Sequence, residues 1–401
     1  MRILIISQYY PPDIGGAHRR SFNAVKGLLQ NGHTIELLTA VPHYPLGDVP
    51  TQYRHRPIFI EESKNLRIIR VWMPPIAHRG FLRRLLLYVF FAFASFLALP
   101  IIKSPDIIWA DSPSVFSSIP ATFFSVLKRV PIVRNVDDLW PETAFQLGYL
   151  SNTQKKIGEF SACISYTLCN ALTPISRAYC SVLEKKYHVP KSRLHVAEVG
   201  IDLSDYPIEK MHYKRTDRKF RIVYSGILGF GYDFEIILKT AKILQDSPVH
   251  FLIRGIGELE KEIRAQIKKN NLANVELSTE FLRRDLLIDL LMQSDALILP
   301  MKSNDFSDFG LPTKLLEYMA CGRPIICCSS GESARIVDEA KCGIVLPPND
   351  ARTLATSIRE LRNRTDLNEL GANGRRYAEQ HFSIERIAAK LEAAFQQAIS
   401  N

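Results

Sequence analysis

Short apolar runs rich in β-branched residues alternate along the chain with longer segments whose apolar positions recur every three to four residues. The first such unit comprises Ile3–Ser7, a Gly-containing loop, an amphipathic segment from His18 to Gln30 and the run Thr34–Thr39, which is βαβ grammar. Further strands are predicted at Ile68–Val71, Ile107–Ala110, Ile132–Asn135 and Ala171–Pro174, and in a second series at Arg221–Ser225, His250–Arg254, Val275–Ser278, Ala296–Pro300 and Pro324–Cys328. A polar stretch, Gly200–Asp217, with Pro207 inside it, separates the two series. The pattern therefore predicts two doubly wound α/β domains, whose ligands collect outside the carboxyl ends of the strands and in the cleft between the domains. Ser383 to Ser400 carries Ile384, Ile387, Ala388, Leu391, Ala394 and Phe395 at the spacing of one helical face. Ser383 is its expected cap.

One segment breaks the amphipathic pattern. Leu85 to Ile102 is eighteen residues without a charge, with Tyr88, Phe90, Phe91, Phe93 and Phe96 among them, Arg79, Arg83 and Arg84 before it and Lys103 after. As a helix it would be about 27 Å long, close to the hydrocarbon core of about 30 Å. A crossing would put the strands on its two sides into different compartments, so they could not share one sheet. An interfacial helix, its aromatic face among lipid headgroups and its cations against anionic lipid, avoids that conflict. It is preferred to a wholly buried core helix because aromatics on every side exceed what one packing face needs. Pro100 is expected to end it.

Composition adds limits. The 401 residues, 46% hydrophobic and 23% charged, suffice for two cores of ordinary size. The formal charge of +10 is concentrated between Arg54 and Lys103, where nine Lys/Arg face only Glu61 and Glu62. An acidic partner is implied there. Nucleic acid is not expected, since zinc-ligand spacing, stacking motifs and a basic helical face are missing. Seven cysteines without a CxxC pair read as reduced thiols. Met1–Ser7 is too short an apolar run for a signal peptide, so the protein is expected inside the cell.

Three stretches carry candidate chemistry. Gly15-Gly16, between a strand and a helix, would let backbone N–H groups approach a diphosphate or sugar; a plain flexible loop explains them equally. Arg19, one turn on, is a candidate for an anionic acceptor or a solvated charge. The run Arg134-Asn135-Val136-Asp137-Asp138-Leu139-Trp140-Pro141-Glu142 follows a strand and puts two carboxylates, an arginine and a tryptophan at a strand end. One carboxylate can take an acceptor hydroxyl proton; the plainer role is an N-cap. Without a third ligand nearby no metal is predicted. Pro312-Thr313-Lys314-Leu315, opening a helix, is an anion site by its free N–H groups and dipole. Glu317 lies one turn in and can accept from ribose hydroxyls.

In this order the pieces resemble the retaining glycosyltransferases of family 4 with the GT-B fold, particularly the bacterial O-antigen and capsule branch that includes N-acetyl-L-fucosamine transferases. The resemblance covers nearly the whole chain and rests on Gly15-Gly16 with Arg19, Asp138 through Glu142, Gly226 and Gly229, Arg254-Gly255-Ile256-Gly257, Asp295 before Leu299-Pro300, and Pro312-Thr313-Lys314 through Glu317-Tyr318. It implies an acceptor-binding Rossmann-like domain over 1–203 with a membrane-interface helix at about 81–102. A nucleotide-sugar domain would span 204–378, and a helix over 379–401 would cross back to the first domain. Glu317 would bind ribose, and Thr313–Leu315 with Gly226–Gly229 the diphosphate. Catalytic roles would fall to Asp138, Asp137 and Arg134, and acceptor contacts to Arg19 and Trp140. The implied reaction moves an N-acetylated hexosamine or deoxyhexosamine from a UDP-sugar to a polyprenyl-diphosphate-linked saccharide, without metal or cofactor, at the cytoplasmic face of the inner membrane.

The chain departs from that pattern in three places. Asp137 stands where many relatives have His, Phe309 where many have Glu, with Asp305 and Asp308 as possible substitutes, and Ile227-Leu228-Gly229-Phe230-Gly231 lacks the usual Arg and Lys. Arg254 and Lys314 then become the expected diphosphate cations. Two competing classes remain, a non-hydrolysing UDP-sugar epimerase and a non-catalytic membrane-associated binding protein.

Overall fold

A computed structural model describes residues 1–13, 18–44, 46–54, 56–77, 80–111, 116, 118–146, 148–209, 219–302 and 309–400. Gly15, Gly16, Arg79, Asp305 and Asp308 lie outside them. The chain divides into two compact units, Met1–Gly200 with Ile384–Asn401, and Ile201–Ser383. These breaks fall three to five residues from the expected boundaries at 203/204 and 378/379.

The first unit holds β1 (Arg2–Ile6), β2 (Thr34–Ala40), β3 (Ile58–Ser63), β4 (Leu66–Val71), β5 (Ile107–Ala110), β6 (Ile132–Val136) and β7 (Ala171–Pro174) in one sheet, ordered β3-β4-β2-β1-β5-β6-β7. All pairs are parallel except β3 with β4. The chain winds outward from β1 through β2 to β4, then returns to β5 on the other side. The switch between β1 and β5 creates the crevice where such folds keep ligands. The final helix, Ile384–Ser400, packs in this unit, its Ile387, Leu391 and Phe395 in one core with Ile3, Ile5, Val25 and Trp109. Gly27 permits this, because a Cβ there would lie 2.6 Å from the Ile384 carbonyl oxygen.

The second unit orders β8 (Phe220–Ser225), β9 (Val249–Arg254), β10 (Val275–Ser278), β11 (Ala296–Pro300), β12 (Ile325–Cys328) and β13 (Gly343–Leu346) as β10-β9-β8-β11-β12-β13, with every pair parallel. Its switch lies between β8 and β11. Two strands were not anticipated. β3 carries Glu61 and Glu62 on an edge, which break its apolar run, and β13 is only four residues, opening on Gly343 and closed by Pro347 and Pro348, too short to stand out.

The apolar segment is an α-helix from Phe81 to Ala98, followed by one 3-10 turn, Leu99–Ile101. It is neither wholly buried nor aromatic all round its outer surface. Leu87, Phe91 and Ser95 are buried, Phe90 packs edge-on to Trp72, and Phe96 edge-on to Phe123. The outward stripe is mainly leucine: Leu82, Leu86, Phe93 and Leu97 are 77%, 52%, 70% and 62% exposed. Most of the aromatics expected to face lipid thus dock the helix on the domain.

Candidate functional sites in the two domains

At the β1/β5 switch of the first unit, Asp111 follows β5 and is buried. The Ser7 hydroxyl donates to its Oδ2 at 2.9 Å and Asn135 Nδ2 to its Oδ1 at 2.9 Å. Asp137 stands within hydrogen-bond reach of it. Burial, and then the Asp137 charge, push the Asp111 carboxyl up to about 8, so at neutral pH it holds a proton that it can donate to Asp137. Arg20 completes the group, with Nε 3.6 Å from Asp137 Oδ1 and Nη2 bonded to Asn135. Its guanidinium also lies 5.6 Å from the Trp109 ring centre. Asp138, the next residue, is exposed to solvent, yet the protein around it raises its carboxyl to about 6, by desolvation first and the Asp137 charge second. At neutral pH it is therefore mainly ionised and poised to accept a proton.

The expected residues do not all meet here. Asp137 and Asp138 do. Arg134 does not, because successive residues on β6 face opposite sides of the sheet. While Asn135 turns toward Asp111, Arg134 is buried against Ser165 and 4.8 Å from the Tyr166 ring centre. Of the Arg19-Arg20 pair, Arg20 faces the carboxylates; one residue is about 100° of helical rotation. Trp140 lies half-buried in the turn after Asp138. Glu142 is held by Lys186 at 2.6 Å and by the Tyr187 hydroxyl. Asp111 and Arg20 were missed; their signal was a charge directly after a strand, and a second arginine beside the one chosen.

The second unit presents its own group at the β8/β11 switch. The helix Thr313–Ala320 begins after Pro312, with no side chain capping its first turn. Lys314 folds back over the end of β8, its Nζ donating to the Tyr232 hydroxyl at 3.2 Å and sitting 4.4 Å from that ring's centre. Leu315 is buried in the domain core. Gly226 makes room for the lysine: at φ 145°, a Cβ there would fall 2.1 Å from Lys314 Nζ. Gly255, also at φ 145°, is required differently, since its Cβ would lie 1.7 Å from the Gly226 carbonyl oxygen. Gly229 has looser surroundings, its nearest neighbour 3.3 Å away on the Ile227 side chain. Glu317, one turn into the helix, accepts from Arg284 at 3.3 Å, and Arg284 also reaches Asp205 at 2.8 Å and the Tyr206 hydroxyl at 3.2 Å.

Arg254 differs from the expectation. Its guanidinium is occupied by Ser278 Oγ at 2.7 Å and by the Glu280 carbonyl, and tethers the end of β9 to the chain beyond β10. Lys314 is thus the cation at the helix start. Among the described residues no group of three or more His, Cys, Asp or Glu side chains is arranged to hold a metal ion.

Comparison with known proteins matches this two-part geometry. Residues 14–205 fit the family described as Glycosyltransferase Family 4, and residues 207–378 that described as Glycosyl transferases group 1. The chain is a family 4 glycosyltransferase. It is similar to the putative colanic acid biosynthesis glycosyl transferase WcaI of Escherichia coli K12, 24% identical over 343 residues that make up 80% of this chain and 82% of that protein. Sucrose-phosphate synthase from Thermosynechococcus elongatus superposes with a TM-score of 0.78 at 17% identity, over 100% of this chain and 99% of that one. Anabaena HepE in complex with UDP gives 0.68 at 15%, over 99% and 100%. These likenesses establish the GT-B fold of this glycosyltransferase, and the relatives connect it with polysaccharide synthesis.

Proposed function

We propose that this glycosyltransferase moves an N-acetylated hexosamine or deoxyhexosamine from a UDP-sugar to a polyprenyl-diphosphate-linked saccharide, with retention and without a metal. The observation that carries the reading is Lys314 poised at the uncapped start of the Thr313–Ala320 helix, above Gly226 and one turn before Glu317. Peptide N–H groups and one ammonium neutralise a leaving diphosphate, whose charge develops as the sugar–phosphate bond ionises. Glu317 is then the ribose acceptor, which requires its partner Arg284 to keep to Asp205 and Tyr206. The UDP complex of HepE favours uridine as the base.

In the acceptor domain Asp138 takes or shares the hydroxyl proton, Asp137 is held by Arg20 and Asp111, and Arg19 and Trp140 border the acceptor. Same-face attack, with the leaving phosphate assisting deprotonation, gives retention. We place the enzyme at the cytoplasmic face of the inner membrane. Support comes from the outward Leu82, Leu86, Phe93 and Leu97, with Phe123, Val126 and Leu127 exposed on the adjoining helix Ser118–Lys128. Exposed apolar side chains gathered on neighbouring helices mark an interaction site.

UDP release measured with donor alone and with donor plus lipid-linked acceptor tests the reading. Release that depends on the acceptor, persists in chelator and is lost in Glu317→Ala through weakened donor binding is expected. Isomerisation of donor alone would make the protein an epimerase, neither reaction a binding protein, and near-normal donor affinity in Glu317→Ala would remove that residue from the ribose site.

A further inference from the structure

Beside the apolar helix lies a groove of about 490 Å³ lined by Arg56, Trp72, Phe90, Phe93, Ala94 and Leu97. We propose that it receives the isoprenoid chain next to the diphosphate of the lipid acceptor, with Arg56 meeting that diphosphate; the proposal rests on the glycosyltransfer reading above and names the acceptor's seat.

Four observations converge on this occupant. The volume lies in the range of sites that enclose a small organic molecule, which suits a few isoprene units. The walls are aromatic and aliphatic, with Trp72 and Phe90 edge to face at 5.5 Å. Such surfaces match a branched, unsaturated chain, which is stiffer than a saturated acyl chain and loses less freedom on being held. One cation completes the lining: Arg56 is exposed, its guanidinium 5.6 Å from the Phe59 ring centre, so a chain ending in an anion is complementary and an uncharged one is not. Phe93 and Leu97 contribute both to the groove and to the outward stripe, so the groove opens where the helix meets lipid.

The groove and the acid cluster share one edge of the sheet. Trp72 follows β4 directly, and β4 runs parallel to β2 and thence to β1 and β5, so the groove sits at the same carboxyl edge as Ser7 and Asp111. On the helix itself Tyr88 turns inward, shares a hydrogen bond with Tyr9 and feels the Asp138 carboxylate. One helix therefore lines the groove with Phe90, Phe93 and Leu97 and turns Tyr88, on its opposite face, toward the acid cluster.

Calorimetric titration of the full chain with farnesyl diphosphate tests this, with inorganic diphosphate, farnesol and dodecyl phosphate as comparators. Farnesyl diphosphate is expected to bind at least tenfold more tightly than each of the three. Filling the groove with Ala94→Phe should weaken it at least tenfold while vesicle binding is retained, which reports an intact fold. Arg56→Glu, at an exposed position, should weaken farnesyl diphosphate but leave farnesol unchanged. Equal binding of dodecyl phosphate, or farnesyl diphosphate binding that neither variant alters, overturns the proposal. If the groove assignment fails while acceptor-dependent UDP release persists, the glycosyltransfer reading stands. If UDP release never depends on a lipid acceptor, that reading fails whatever the titration shows.

Discussion

Replacing Asp111 by Asn tests whether the acceptor domain keeps a neutral acid at its switch point. The wild-type carboxyl is raised from 3.8 to about 8, by burial first and Asp137 second. A carboxyl raised in the folded state contributes stability that is fully present below the unfolded pKa and is lost as pH climbs through the folded one. The window is therefore about pH 4 to 8. At about 1.4 kcal/mol for each tenfold change in proton affinity, that loss is on the order of a few kcal/mol. Asn is neutral throughout and has nearly the same shape. Its Nδ2 donates toward Asp137 as the protonated carboxyl does, and the Ser7 hydroxyl, already 3.2 Å from the Tyr9 carbonyl oxygen, can turn to that acceptor. The unfolding midpoint of Asp111→Asn, relative to wild type, should rise with pH between about 4 and 8 and level off above. For a domain of this size each kcal/mol moves the midpoint by about 2–4 °C. A difference independent of pH from 5 to 9 would show that the carboxyl is not held neutral, and the shared proton with Asp137 would have to be abandoned.

The glycine pair separates a steric requirement from a functional one. Both glycines hold φ 145°, which strains any side chain, but Gly255→Ala also drives a Cβ into backbone and should lower stability severely, whereas Gly226→Ala otherwise meets only the flexible end of a lysine and should lose less stability while binding UDP more weakly; equal stability losses in melting curves would contradict this. Asp138→Asn should spare donor binding and cut turnover at least tenfold, a barrier increase of about 1.4 kcal/mol. Because its carboxyl is raised to about 6, wild-type turnover should fall as pH drops through that value, and a pH profile unchanged in the variant would remove it from the site. Leu86, Phe93 and Leu97, changed together to Ser, should release the protein from anionic vesicles without unfolding it, and continued sedimentation with vesicles would refute the lipid seat. Phe91 is unsuitable for that purpose because it is buried in the domain.

Much of this was legible in the chain because parallel strands are rich in β-branched and other apolar residues, and eleven of the thirteen strands among the described residues stand out in that way. The two exceptions lie at sheet edges, where a strand needs less apolar burial and leaves a weaker trace. Asp137 and Asp138, singled out because they follow a strand directly, do lie at the β1/β5 switch, while Asp111, which also follows a strand directly, was passed over because a single carboxylate gives no pattern. Side-chain direction was not legible. Which of Arg19 and Arg20 turns inward depends on one step of helical phase, and Arg134 was lost because its strand position, odd or even, decides which face it serves. The partners of Arg254 were hidden for a related reason: a cation at a strand end is equally suited to the chain beside it, here Ser278 at the end of β10 and the Glu280 carbonyl beyond it.

The helix Phe81–Ala98 was read as an anchor, and its geometry gives it a second consequence. Leu86, Phe93 and Leu97 point outward, while Tyr88, on the opposite side and less than two turns from Phe93, bonds Tyr9 and lies near Asp138. Five residues along an α-helix span about 7.5 Å. If the outward stripe sits in the bilayer surface, Tyr88 lies about 10–12 Å from it, one helix diameter, and the proton acceptor beyond Tyr88 is held at a fixed height by a single rigid element. An acceptor sugar on a membrane diphosphate can then approach Asp138 while the far end of its isoprenoid stays in the lipid, and shortening the lipid should lower turnover mainly through a higher KM. Loss in kcat alone would mean that the chain acts on the chemistry, and the helix would not be a simple bridge between lipid and acid.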